Sequence, residues 1–236
     1  MILVPFSVAA QSNSSKEKEC SMHLGLDLQT KYVWRGMEMM SEDATPVLFP
    51  QINYQNQGFY AYLMGGTSLN GKYSELDFGI SYTHRWISIG INDYYYPTTV
   101  GLNDRYFNFA STDTGHWLEG MITISPEKIP VHLILSNFFY GADKNLEGEQ
   151  AFSTYIEVGA HYDFSENNSL LAAIGAASGK SCYNGYDRGF GVCNIEIGYS
   201  YGLKVCKDWA LPLRVTYIAN PVREKAFINF STSLVF

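Results

Sequence analysis

Charged residues are scarce in this sequence, and features of several common protein classes are missing. Only 17% of its 236 residues are Asp, Glu, Lys or Arg, whereas an ordinary soluble domain carries about 25%. No run of about 18 apolar residues occurs, which excludes a transmembrane helix. The net charge of -7 and the pI near 5.2 argue against a nucleic-acid partner. A C-x-x-C pair and a His-rich spacing are both missing, so the sequence indicates no metal site and no cofactor.

Aromatic and small polar residues stand where the charges would be. The chain contains 18 Tyr, 14 Phe, 4 Trp and 21 Gly. Its mean hydropathy of -0.11 is compatible with a membrane-spanning barrel, because alternating lipid-facing and lumen-facing residues average out along each strand. The composition therefore favours one large all-β domain.

The closing segment, residues 226–236, shows this alternation most clearly. One face is apolar apart from a threonine and carries Ala226, Ile228, Phe230, Thr232, Leu234 and Phe236. The other face is mostly small or polar and carries Phe227, Asn229, Ser231, Ser233 and Val235. Successive side chains of a strand point to opposite sides, so the segment predicts a strand with one face in lipid and one in water. The edge strand of a soluble sandwich is the alternative.

Ten earlier segments alternate in the same way, and an eleventh, residues 170–177, is weaker and apolar on both faces. The predicted strands cover residues 23–35, 48–55, 59–67, 74–84, 86–96, 116–125, 131–140, 152–164, 170–177, 190–204, 209–220 and 226–236. Twelve is an even number, as single-chain bacterial barrels require. The predicted fold is an all-β, transmembrane, antiparallel up-and-down barrel of about twelve strands spanning residues 21–236. Residues 1–20 are interpreted as a residual signal peptide, with Val8 and Ala10 before a cleavage site, followed by a polar lead-in.

Loop lengths provide an independent test of this topology. If the chain starts in the periplasm, the periplasmic connections are all short and fall at 56–58, 85, 126–130, 165–168 and 205–208. The outer connections are mostly longer and fall at 36–47, 68–73, 97–115, 141–151, 178–189 and 221–225. Short periplasmic turns and longer outer loops are the rule for outer-membrane barrels, whereas a sandwich gives no reason for the sorting. The 97–115 loop is expected to form a hairpin above the barrel or to fold inward as a constriction.

Aromatic residues cluster near the predicted strand ends. Tyr32, Trp34 and Tyr94 are expected in a girdle at the outer interface, and Trp86 and Trp209 at the periplasmic one. An amphipathic ring between lipid and water is the usual reason for such girdles.

The four cysteines divide between the two sides of the predicted membrane. Cys20 and Cys206 fall on the periplasmic side, while Cys182 and Cys193 fall in or beside one outer loop. Of the three possible pairings, only Cys20–Cys206 with Cys182–Cys193 keeps partners on one side. An oxidising envelope permits these disulfides, and free thiols are the alternative.

Several stretches of the first half resemble a known family. They are L-D-L-Q-T-K-Y-V-W-R-G at 26–36, P-Q-I-N-Y at 50–54, G-F-Y-A-Y-L-M-G at 58–65, S-E-L-D-F-G-I-S-Y at 74–82 and I-N-D-Y-Y-Y-P at 91–97. They resemble the TorF-type porins, a bacterial outer-membrane family of poorly known function. The resemblance covers residues 22–97 well and the remainder loosely. It implies a barrel, a pore and a location in the bacterial outer membrane, and it brings no catalytic residues.

The alternation also predicts which side chains line the lumen. These are Asp27, Gln29, Lys31, Arg35, Gln51, Asn53, Glu75, Asp77, Asn92, Glu119, Glu157, His161, Glu196 and Arg214. Acids outnumber bases, so an open lumen would mildly prefer cations. The same charges could equally pair into a structural plug, because charges in a confined barrel must be paired or hydrated.

Three functions are compatible with this pattern. The first is a narrow porin-like channel for small polar solutes, set in outer-membrane lipid. The second is an accessory barrel with a filled lumen that docks an envelope protein. The third, a lipid-acting enzyme, needs a Ser–His pair on the lipid face near the outer rim. No such pair is evident, because His84 faces lipid at the wrong end, and His116, His132 and His161 fit polar wall residues better.

Overall fold

Twelve long antiparallel strands form a closed barrel, and two short strands form a separate hairpin. The structure is a computed structural model, and it describes residues 20–40, 45–97, 105–207 and 209–236. The strands are β1 (Ser21–Gln29), β2 (Val33–Trp34), β3 (Met37–Glu38), β4 (Val47–Asn56), β5 (Phe59–Ser68), β6 (Ser74–His84), β7 (Ile87–Tyr95), β8 (His116–Ile124), β9 (Val131–Gly141), β10 (Thr154–Ser165), β11 (Asn168–Ala177), β12 (Gly191–Cys206), β13 (Trp209–Asn220) and β14 (Lys225–Val235). One 3₁₀ turn, Cys182–Asn184, precedes β12. In the described ranges, no helix has the length and apolar character needed to span a membrane.

The barrel closes between the first and last strands. β1 pairs with β14, with Leu26 opposite Leu234, and with β4 on its other side. Backbone hydrogen bonds of 3.2 Å and 2.9 Å join Leu24 and Phe236 in both directions. This arrangement confirms the predicted twelve-stranded up-and-down barrel and leaves no sheet edge of it exposed to lipid.

Strand alternation separates a lipid face from a lumen face. Opposite residues of antiparallel neighbours share a face. Ile80 lies opposite Ile91, and both point outward with 39% and 48% of their surface exposed. Gly79 and Asn92, one residue away, are also opposite each other, and Asn92 is buried inside. An outer surface rich in exposed Ile, Leu, Val and aromatic side chains is what hydrocarbon requires.

The connections follow the predicted sorting of lengths. At the end of the barrel where the chain starts, β4–β5, β6–β7, β10–β11 and β12–β13 are each joined by two residues. The opposite end carries the long connections, including 30–46, 96–115 and 178–190. The end with the short turns is therefore the periplasmic end.

The predicted first strand is too long. β1 ends at Gln29, and residues 30–40, here called the inward hairpin, leave the wall and enter the lumen. Arg35 and Gly36 have φ of 48° and 76° and form the turn between β2 and β3, where a left-handed backbone favours glycine. The alternation of Tyr32 and Trp34 continues that of β1, which is why the sequence does not reveal the change of direction.

The long outer connection does not fold inward over the residues that the structure describes, 105–115. This segment lies against the outside of the barrel wall. The ring of Phe109 stacks on that of His116 at 4.2 Å, and the Tyr140 hydroxyl donates a hydrogen bond to the Phe109 carbonyl. The prediction of a hairpin above the barrel or a constriction here is therefore wrong for these residues, and the inward hairpin occupies the lumen instead.

The predicted Cys20–Cys206 disulfide is wrong, because both thiols are free. Cys20 precedes β1 and Cys206 ends β12, and β13 and β14 lie between those two strands. Three inter-strand steps separate the cysteines by roughly 14 Å, about twice the reach of a disulfide between Cα atoms.

The predicted Cys182–Cys193 disulfide is also wrong, because both thiols are free. The backbone N–H of Cys182 donates to Ser153 Oγ at 3.0 Å, and burial raises the pKa of its thiol. The Cys193 thiol lies 3.8 Å from the Gly175 carbonyl on β11. The predicted signal peptide and most of the lead-in lie outside the described residues.

Candidate functional site

The lumen is the candidate functional site, and the predicted wall residues reach it. Asp27, Gln29, Glu75, Asp77, Asn92 and Glu119 are buried inside, and Gln51, Asn53, Glu157, Glu196 and Arg214 are partly buried inside. His161 faces inward at the exposed periplasmic mouth, where its ring lies 3.4 Å from Asp163. Lys31 and Arg35 are on the inward hairpin rather than on the wall strand that the sequence predicts. Every barrel strand places at least one polar side chain inside.

The outer half of the lumen is filled by aromatic and aliphatic side chains. Tyr32, Trp34 and Met37 of the inward hairpin pack there against the wall residues Phe49 and Phe138. Tyr183, from the 3₁₀ turn, enters the same cluster and is completely buried. The outer girdle predicted for Tyr32, Trp34 and Tyr94 is therefore wrong. These rings are 4–9% exposed because they face the lumen.

Arg35 occupies the centre of this closed half. Its guanidinium donates to both carboxylate oxygens of Glu119 on β8, with Nη2 at 3.3 Å from Oε2. Nη1 also donates to the Tyr183 hydroxyl at 2.6 Å. The two charged side chains are 5% and 0% exposed. A buried pair of this kind needs good geometry and further hydrogen bonds to offset desolvation, and both are present.

The Glu119 carboxylate is held by the wall as well as by Arg35. The Tyr94 hydroxyl donates to Oε2 at 2.8 Å, and the Asn92 amide donates to the same oxygen at 3.5 Å. Its position is therefore fixed by neighbouring strands β7 and β8. Removing Arg35 would leave an oriented carboxylate inside the barrel.

A pair of carboxylates lies on another side of the inward hairpin. Glu75 and Asp77 are two residues apart on β6 and share its inner face. The Tyr73 hydroxyl donates to Glu75 at 2.6 Å, and the Tyr32 hydroxyl donates to its other oxygen at 3.4 Å. The Asp77 Oδ1 atom has no hydrogen-bond partner in the part of the chain that the structure describes. Tyr32 thus ties the hairpin to this acidic strand.

A third acidic group lies on β10. The Tyr155 hydroxyl donates to Glu157, the Asn194 amide donates to it at 3.4 Å, and His132 Nε2 lies 3.3 Å away. Tyr155 is completely buried beside Arg35. The acids around the hairpin are therefore oriented by tyrosines, which the sequence pattern does not reveal because it treats each strand separately.

The periplasmic half of the lumen is lined by polar side chains that are only partly buried. Gln51 and Asn53 on β4 and Tyr60 on β5 line one side and are partly exposed. Arg214 on β13 is partly buried on another side, and its Nε donates to Ser200 at 3.0 Å.

A histidine–aspartate pair lies on the lipid face near the outer rim. His116 Nδ1 is 2.9 Å from both carboxylate oxygens of Asp93, and its Nε2 is 2.5 Å from the Tyr106 carbonyl. A carbonyl can only accept, so Nε2 carries a proton and is not available as a base. Among the described residues, no serine hydroxyl bonds to this ring. His116 is a residue of the wall strand β8, as the sequence predicts, but it lies on the outer face, and its pair with Asp93 fastens the 105–115 loop to the barrel.

The fold is that of small outer-membrane porins. No protein-family model and no curated protein matches the chain. The KdgM porin is 9% identical with a TM-score of 0.50, covering 91% of this chain and 98% of that one. The NanC porin is 8% identical with the same score and coverage. A KdgM porin in complex with disordered oligogalacturonate is 9% identical with a TM-score of 0.49, covering 92% and 98%.

At these identities the likeness shows the fold alone. Both KdgM and NanC are porins. The resemblance to the TorF family stays a prediction.

Proposed function

We propose that the protein is a narrow channel for small polar solutes and that the structure is its closed conformation. The observation that carries this proposal is the polar side chain that each of the twelve strands places inside. A barrel that served only as a scaffold could fill its interior with apolar side chains, because buried polar groups are costly unless they are hydrated or paired. The inward hairpin is then a movable constriction rather than a permanent core.

The size of the barrel supports a narrow passage. Eight-stranded barrels are just wide enough to be filled by side chains, while 16-stranded porins hold an open aqueous channel. Twelve strands lie between these cases. Conductance of the purified protein in a planar bilayer tests the proposal. Discrete openings of low conductance are expected, and a folded, inserted barrel that never conducts, even after the hairpin is removed, contradicts it.

The lumen charges support a mild preference for cations. The acidic side chains inside are Asp27, Glu75, Asp77, Glu119, Glu157 and Glu196, and the arginines inside are Arg35 and Arg214. With a potassium chloride gradient across the bilayer, the reversal potential should therefore have the sign that shows K⁺ to be more permeant than Cl⁻. Replacing Glu157 and Glu196 with Gln should reduce this potential, whereas Glu147→Gln in an exposed outer loop should not. A wild-type reversal potential that shows Cl⁻ to be more permeant than K⁺ would contradict the proposed cation preference.

A second function is supported by the filled outer half. If the inward hairpin never leaves the lumen, the barrel would be an accessory protein whose outer loops dock an envelope partner. Its buried Arg35–Glu119 pair and aromatic cluster would then be permanent. A complex that co-purifies from native membranes, together with zero conductance of both wild type and hairpin-free protein, would favour this function over the channel.

A further inference from the structure

The guanidinium of Arg35 lies in a cage whose walls do not belong to the inward hairpin alone. The carboxylate of Glu119 meets its edge. The ring of Tyr155 on β10 lies 4.6 Å from the guanidinium carbon, and that of Tyr183 lies 5.8 Å away. Only Trp34, at 4.4 Å, comes from the hairpin itself. An acidic edge and aromatic faces are the surroundings that a planar organic cation prefers.

The cage is organised without Arg35. Tyr94 and Asn92 hold the Glu119 carboxylate from β7, and the Tyr155 hydroxyl is held by Glu157 within β10. A binding site that needs little rearrangement loses less free energy on ligand ordering. Withdrawal of the inward hairpin would therefore expose a ready-made site in the middle of the lumen.

Besides the Tyr32–Glu75 hydrogen bond and the packing of its rings, the hairpin is fastened to the wall by hydrogen bonds at its base and tip. At the base, Asn229 Oδ1 accepts from the Thr30 hydroxyl at 3.1 Å and from the Lys31 N–H at 3.0 Å. At the tip, the Asn220 amide donates to the Gly36 carbonyl at 3.1 Å. Its own strands β2 and β3 pair only with each other. A competitor for Glu119 would thus remove the main charged anchor of the hairpin.

We infer that the Glu119–Tyr155–Tyr183 cage is a binding site for guanidinium-type organic cations, and that Arg35 is its resident occupant in the closed barrel. A solute carrying a guanidinium replaces Arg35 on Glu119 and stacks on the same rings. Binding to the cage is independent of transport, but its role as a step in permeation rests on the proposed channel. No bond forms or breaks, and the exchange replaces one cation by another on a single carboxylate.

The test uses the full chain with the resident cation removed. Arg35→Ala leaves the carboxylate and both tyrosines in place, and methylguanidinium chloride is the probe. The unfolding temperature of the detergent-solubilised barrel, read from its heat-dependent gel mobility, should rise with the logarithm of the probe concentration above the dissociation constant, as expected for a ligand that binds only the folded state. Sodium chloride at equal concentration should give no such rise. Arg35→Gln, which keeps a donor near Glu119, is the second variant if Arg35→Ala does not fold.

Two controls make the result specific. Adding Glu119→Gln to the Arg35→Ala protein should abolish the probe-dependent shift, and Arg105→Ala, which removes a mostly exposed arginine, should show none. An equal shift with and without Glu119, or no shift in a folded Arg35 variant, overturns the site.

Bilayer recordings of the same proteins separate the two proposals. Reversible block of an Arg35→Ala channel by methylguanidinium supports both. Binding by the Arg35→Ala protein, together with no conductance even after the hairpin is removed, contradicts the channel and keeps the site. Conductance without binding contradicts the site and keeps the channel.

Discussion

The contact between Arg35 and Glu119 is the residue-scale feature on which the closed lumen depends. Glu119→Gln keeps the shape of the side chain but leaves the guanidinium buried without a counter-charge. Breaking a buried pair in this way costs about 3–5 kcal/mol. We expect the free energy of unfolding of the detergent-solubilised barrel in urea to fall by that order.

Glu38→Gln is the matched control for this substitution. Glu38 pairs with Lys31 at 2.7 Å and Lys225 at 3.6 Å, but both lysines are about half exposed. Exposed pairs contribute about 0–1 kcal/mol, so this variant should be nearly as stable as the wild type. Equal losses for both variants would contradict the assignment of Arg35–Glu119 as the central polar contact.

The sequence predicts which residues face the lumen better than it predicts what they touch. Asp77 and Glu157 are found inside because a period of two fixes the face of a strand residue. Their neighbours come from other strands and loops, and no local pattern records such contacts. The predicted cysteine pairs are wrong for the same reason, since sharing one side of the membrane says nothing about the strands between Cys20 and Cys206.

At the scale of elements, the position of the inward hairpin against β12 depends on the glycine at its turn. Gly36 has a φ of 76°, and a Cβ there would lie 1.8 Å from the Cys193 carbonyl oxygen. Gly36→Ala should therefore displace the hairpin from β12. We expect more frequent or larger channel openings in planar bilayers than in the wild type.

Gly71→Ala is the matched control for the hairpin turn. Gly71 has a nearly identical φ of 70°, but no other atom lies within 4 Å of the position that a methyl group would take there. This variant carries the same backbone penalty without the clash and should leave conductance unchanged. An increase in Gly71→Ala as large as that in Gly36→Ala would show that backbone strain, not contact with β12, controls the openings.

The inward hairpin is the element that the sequence does not predict, although it does predict the barrel strands. Eleven of the predicted strands correspond to barrel strands because turn residues bound them and all but the weaker 170–177 segment alternate in polarity. The first is predicted to run to residue 35 because Tyr32 and Trp34 keep the alternation of β1. Their burial inside the lumen is a tertiary effect: the rings pack on Phe49 and Phe138 rather than on lipid.

At the scale of the whole molecule, the outer face of the barrel must meet hydrocarbon. Ile91, near the middle of β7, points outward and is 48% exposed. Ile91→Arg should destabilise the folded barrel in lipid vesicles by about 2–4 kcal/mol, the usual cost near the bilayer centre. Ser81→Arg, on the adjacent strand but facing the lumen, should cost less because water or an acid can reach the charge. A smaller loss of stability for Ile91→Arg than for Ser81→Arg would contradict the assignment of Ile91 to the lipid face and Ser81 to the lumen face.

The most direct test of the closed-channel proposal is the single-channel conductance of a barrel without its inward hairpin. Residues 31–40 are replaced by a short Gly-Ser linker, and the folded protein is inserted into a planar bilayer beside the wild type. We predict steady conductance in the hairpin-free barrel and only brief, small openings in the wild type. A hairpin-free barrel that folds, inserts and still carries no current would contradict the proposal.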